Sequence, residues 1–157
     1  MDARTRQLKA SWIPFSGFQL RKAGVQFDAV RVDGDDGRRL ADAMEAITAG
    51  DPGPIVAEAN GRRAVYFYLP PGSTALRAWP PKVTRFNSSY GHVSYVPVPA
   101  LKGDTWPLSW YVPPTGPDRF VHPLLLLNTA ALLLGDGTTV CQWGGDRGDQ
   151  SDSSAAL

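Results

Sequence analysis

Residues Phe27–Gly37, FDAVRVDGDDG, run a short apolar strand into an acidic, glycine-punctuated turn and then a helix. Along Phe27–Val32 the side chains alternate: Val30 and Val32 share one face, and Phe27, Ala29 and Arg31 share the other. Gly37–Ala49 then sets Leu40, Met44 and Ile47 at helical spacing, with Arg38, Arg39, Asp42 and Glu45 outside. Asp35 or Asp36 is placed to cap this helix, and Gly50 and Pro52 end it. A strand that turns so soon into an amphipathic helix buries both apolar faces together. The expected contact is Val30 and Val32, on a central strand, against Leu40, Met44 or Ile47.

The rest of the chain is cut into short pieces by 14 Pro and 16 Gly, which excludes a long helical bundle. Pro54–Ala59 and Ala64–Leu69 read as a hairpin turning at Asn60-Gly61, a two-residue turn signal. Pro70-Pro71-Gly72 closes it, and Val93–Val98 and Ser109–Val112 read as further strands. Pro123 opens an apolar helix that stops at Gly135, and Thr138–Trp143 reads as a short edge strand. Strands and hairpins with only two helices predict an α+β fold: an antiparallel or mixed sheet backed by helices on one face. The expected organisation is a basic, aromatic arm over 1–24, one α+β domain over 25–143 and a disordered tail over 144–157.

The net charge of +1 argues against a uniformly basic, polyanion-binding surface. Charge is nevertheless segregated. Residues 61–120 carry seven cations against two acids, whereas residues 25–60 carry three against eight, so a local basic surface competes with an ordinary set of solvated loops. The apolar run Leu124–Leu134 is about half the roughly 20 residues of a membrane span, and a buried core helix explains it better. No membrane partner is expected. A single Cys141 excludes an internal disulfide framework, and with no signal-peptide pattern at the N-terminus this favours the cytoplasm.

Few residue sets carry chemistry on their own. His92 and His122 lie in separate segments without a Cys partner, so no zinc site is expected. His92 with Ser88, Ser89 and Ser94 could form a nucleophilic arrangement, but no Gly-x-Ser-x-Gly elbow or suitable Asp supports it. Asn87-Ser88-Ser89 fits a glycosylation pattern that has no secretory context. Cys141 beside Trp143 reads as a core or edge residue before a reactive thiol. Tyr66, Tyr68, Trp79, Phe86, Tyr90, Trp106, Trp110 and Tyr111 share the basic region, an interleaving suited to stacking on unpaired bases. Packing of strand aromatics into a core is the stronger reading.

Three segments in fixed order, Phe27–Gly37, Gly61–Gly72 (GRRAVYFYLPPG) and Tyr90–Pro99 (YGHVSYVPVP), resemble the catalytic core of the bifunctional primase-polymerase family. This is the actinobacterial type within the archaeo-eukaryotic primase superfamily. The resemblance covers Phe27–Pro114 and implies an RRM-like core. It also implies degeneracy. Where the family has an Asp-x-Asp pair, Arg31 replaces the first acid and Asp33 matches the second; Ala64 takes the place of a His, and Arg85 that of a third Asp. Metal-dependent nucleotidyl transfer needs carboxylates to hold divalent cations, and Asp33 alone cannot hold a two-metal centre.

The resemblance thus implies no catalytic residues, no bound metal or cofactor, and no enzyme activity of the family's kind. It implies a phosphate or nucleic-acid surface built from Arg31, Asp33, Arg62, Arg63, Tyr66, Tyr68 and Arg85. Arg31, Asp33 and Arg85 are expected to converge there, with single-stranded nucleic acid or a nucleotide as the ligand; the equal alternative is that both arginine side chains extend to water from opposite edges and touch nothing. The alternative is a protein-interaction or structural module whose cleft is filled by side chains; residual polymerase activity with relocated ligands ranks third. A cleft lined by several Arg marks the first reading. A cleft plugged by Tyr66 or Tyr68, with apolar surface exposed elsewhere, marks the second.

Overall fold

The computed structural model describes residues 11–75 and 77–135, with only the backbone of Tyr90. The chain forms β1 (Phe18–Lys22), β2 (Asp28–Val32), α1 (Gly34–Ile47), β3 (Ile55–Glu58), β4 (Val65–Leu69), β5 (Thr84–Phe86), β6 (Tyr95–Pro99), β7 (Leu108–Val112) and α2 (Pro123–Leu134). The fold is α+β. A five-stranded antiparallel sheet has the order β5-β2-β4-β3-β7, and β1 pairs with β6 in a separate two-stranded ribbon. The expected edge strand 138–143, Cys141 and the tail 144–157 lie outside the described residues.

Side-chain alternation makes the five-stranded sheet two-sided. Val30 and Val32 face α1 and α2 in one core with Leu40, Ala41, Met44, Phe67 and Leu126. The opposite face carries Phe27, Ala29, Tyr66 and Tyr68, covered by the ribbon and by Trp12. The layers run helices, sheet, ribbon. β2 is an interior strand, and β4 holds the centre.

Several elements depart from the sequence reading for identifiable reasons. Helix α1 starts earlier, with Asp33 at the N-cap position, and Asp35 and Asp36 fall in its first turn, where carboxylates complement the helix dipole. Ile47 is 53% exposed; the buried face is Gly37, Leu40, Ala41 and Met44. The small residues let the helix approach the sheet: a Cβ on Gly37 would lie 2.4 Å from the Val32 carbonyl oxygen. The β3–β4 connection is longer than a two-residue turn. Glu58 donates to the Ala64 carbonyl, and Arg63 to that of Asn60, with Arg63 at φ 52°.

The segment read as an irregular arm contains β1, whose register runs from Phe18↔Pro99 to Lys22↔Tyr95. Trp12 is buried, whereas Phe15 and Phe18 are exposed. Helix α2 is apolar all round but buries only the stripe Leu126, Ala130 and Leu134, leaving Leu132 78% exposed. No helix among the described residues is long and apolar enough to cross a membrane.

Candidate functional site

At the end of β2, Arg31 places Nε 3.2 Å from Asp33 Oδ1, and Arg62 places Nη1 3.7 Å from Asp33 Oδ2. The Arg31 Nε–H is not aimed at that oxygen and makes no hydrogen bond, so the contact is an ion pair by proximity. The Arg31 guanidinium also lies 5.5 Å from the centre of the Phe86 ring. Arg63 pairs with Asp35 at 3.3 Å, and Arg39 and Lys82 share Asp36, whose carboxyl they hold below the usual range. The cations expected to meet an external phosphate here already have internal carboxylates.

The expected aromatic contributors lie in the core. Tyr68 is fully buried among Trp12, Phe27 and Trp110, with ring centres 5.4, 5.3 and 6.0 Å away, and its hydroxyl donates to the Pro97 carbonyl at 2.6 Å. Tyr66, opposite Arg31 in the β2–β4 register, is 7% exposed. Burial raises the Tyr66 pKa and pushes that of Tyr68 well above the usual 10.0.

A tyrosine that ionises more readily when unfolded stabilises the fold fully below about pH 10, and that stability is lost as pH rises toward the folded pKa. The unfolding free energy is therefore expected to fall above pH 10. Tyr68→Phe should flatten that fall, as read by urea titrations across the alkaline range. An unchanged slope in the variant would count against the buried hydroxyl.

Arg85 stands apart from Arg31 and Asp33. In the β2–β5 register it faces Val30, so its side chain is on the helix side of the sheet, while Arg31 is on the ribbon side. The expected three-residue convergence reduces to the Arg31–Asp33 pair. Arg85 donates from Nη1 to the carbonyls of Thr74 at 3.2 Å and Arg77 at 3.4 Å, and no carboxylate among the described residues pairs with it.

Arg85 lines a half-open pocket of about 390 Å³ together with Ala75, Asn87, Ser89, His92, Val93 and Ser94. The wall is fixed from behind. Asn87 Nδ2 donates to Thr74 Oγ1 at 2.7 Å and its Oδ1 accepts from the Ser89 N–H at 3.0 Å. Thr74 in turn donates from its N–H and hydroxyl to Oδ2 of Asp28, at 3.0 and 2.7 Å. Asp28 is fully buried and its Oδ1 has no partner among the described residues.

Sequence reading grouped His92 with Ser89 and Ser94, and Asn87 with Ser89, but never joined them to Arg85 as one wall. It missed Asp28 and Thr74. The available signal was an acid at Asp28 on the face it shares with Val30 and Val32, where a charge needs a built partner.

Among the described residues, no three His, Cys, Asp or Glu side chains gather as metal ligands. Chemically, the pocket offers one uncompensated guanidinium, an imidazole and two hydroxyls, a set suited to holding an anion. Comparison with protein-family models, with curated proteins and with solved structures finds no match.

Proposed function

We propose that this chain is a catalytically degenerate, primase-polymerase-like domain that binds a phosphate-bearing ligand, single-stranded nucleic acid or a nucleotide, without nucleotidyl transfer. The observation that carries the reading is Arg85. Its exposed guanidinium donates from Nη1 to two backbone carbonyls and has no carboxylate among the described residues, at the wall of a polar pocket. Such a guanidinium is preorganised for a phosphate, because its geometry is fixed before the ligand arrives. The binding role therefore moves from the Arg31–Asp33 end of β2 to the pocket beside the edge strand β5.

The test is fluorescence anisotropy with labelled nucleotide and labelled unpaired oligonucleotide, comparing the parent with Arg85→Ala. A lost charge-assisted hydrogen bond is worth ~1.5–3 kcal/mol, so binding is expected to weaken about 10- to 150-fold. Equal affinity in the variant eliminates the phosphate site. Template-directed incorporation of nucleotide with Mg²⁺ or Mn²⁺ is expected to be absent, because Arg31 and Ala64 take places that the resemblance assigns to metal-site residues, and Arg85, on the opposite face of the sheet, brings no carboxylate to them. Incorporation that Asp33→Asn abolishes would restore the polymerase reading.

One observation favours the interaction-module alternative. The sheet face that carries Tyr66 and Tyr68 is filled, while Phe18, Leu20 and Tyr95 on the ribbon are 44%, 61% and 55% exposed. That reading stands if neither nucleotide nor oligonucleotide binds.

A further inference from the structure

Building on the phosphate-binding reading, we infer that the Arg85 pocket takes the phosphate monoester of one small molecule, of mononucleotide size, rather than the phosphodiesters of a strand. Charge is the first reason. A strand is tracked by a row of cations that neutralise successive phosphates. Here Arg31 and Arg62 share Asp33, Arg39 and Lys82 share Asp36, and Arg63 takes Asp35, so every one of these cations already has a carboxylate with which a strand would have to compete.

Against that, Arg85 lines the pocket with His92, and Arg77, whose carbonyl accepts from Arg85, adds an exposed cation to the same edge. The two guanidinium charges of Arg85 and Arg77 match one terminal, doubly charged phosphate.

Shape is the second reason. A volume of about 390 Å³ lies in the range of small-molecule sites, roughly 300–1,000 Å³. The lining divides by chemistry: Arg85, His92, Ser89 and Ser94 offer donors, whereas Ala75 and the exposed Val93 offer apolar contact for the organic part. Stacking is the third reason. Strand binding without sequence preference draws on a series of aromatic platforms. Trp12, Tyr66 and Tyr68 are instead buried in the core beneath the ribbon, and Trp110 is packed against them.

Isothermal titration of the full chain with a nucleoside 5′-monophosphate, the unphosphorylated nucleoside, inorganic phosphate and a short 5′-hydroxyl oligonucleotide separates the cases. The monophosphate is expected to bind at least 10-fold tighter than the nucleoside, than inorganic phosphate and than the oligonucleotide. Its affinity should fall only weakly with salt, since a mononucleotide has no condensed counterions to release, whereas a strand's slope steepens with each phosphate met. Arg85→Gln and, independently, Ser94→Asp should each weaken it 10-fold or more, with far-UV circular dichroism confirming that both variants fold; Arg62→Ala should leave it unchanged.

An oligonucleotide that binds as tightly as the monophosphate, with a steeper salt slope that Arg62→Ala reduces, overturns this inference while the phosphate-binding reading survives. Inorganic phosphate binding as tightly as the monophosphate also overturns it. If no phosphate compound binds, the phosphate-binding reading falls as well.

Discussion

Tyr68→Ala is expected to lower the stability of the fold by about 3–5 kcal/mol, the range for removing a large buried aromatic side chain. Tyr68 projects from the central strand β4 into the aromatic cluster of Trp12, Phe27 and Trp110, and it carries the hydrogen bond to Pro97 that ties the ribbon to the sheet. The alanine variant loses packing and tether together. Tyr68→Phe isolates the tether and should cost only about 0.5–1.5 kcal/mol. Urea denaturation at neutral pH reads both. A loss below ~1 kcal/mol for the alanine variant would mean that the ribbon does not depend on β4.

Gly53→Ala carries the second large effect. Gly53 has φ 106°, and a Cβ there would meet backbone: 2.6 Å to the Val121 nitrogen and 2.8 Å to the Phe120 carbonyl carbon. Backbone cannot swing aside as a side chain tip can, and Val121 is itself held by its N–H donating to the Tyr68 carbonyl. Left-handed strain and overpacking each cost about 1–3 kcal/mol, so the variant should lose about 2–6 kcal/mol. Gly50→Ala provides the control, because Gly50 has φ 88° but open space around it. Thermal unfolding should place Gly53→Ala well below Gly50→Ala. Equal melting temperatures would show that the segment around Val121 gives way.

What could be read from the sequence followed local periodicity. Val30, Val32, Leu40 and Met44 meet in one core as their spacing implies, because alternation along β2 and the turn into α1 are decided within twenty residues of each other. Ile47 was misplaced because spacing alone does not reveal that Gly37 and Ala41 bring the near end of the helix closest to the sheet. Strand β1 was missed because Phe18 and Leu20 point outward and its partner β6 lies far along the chain. Strand β5 has three residues, too few for alternation to register.

The candidate site was legible only as a list of residue types. Arg85 belongs to the helix side because of its register opposite Val30, and the support behind Asn87 reaches Asp28 through Thr74. Both are long-range facts that no window of sequence contains. Of the aromatics near the cations, Tyr66 and Tyr68 lie in the core, the stronger of the two readings, whereas Trp106 is 67% exposed.

The ribbon also sets an order of assembly. When β1 leaves the ribosome, the strand it pairs with has not been made: Lys22 must wait for Tyr95, and Phe18 for Pro99. At synthesis rates of ~5–20 residues per second that delay is on the order of 10 s, long compared with the microseconds in which a hairpin closes. During it, β2, α1, β3 and β4 can pair and pack locally while Trp12, Phe18 and Leu20 remain in water. The ribbon thus cannot close until β6 has emerged, and for those first seconds of the nascent chain the aromatic face of the sheet is open.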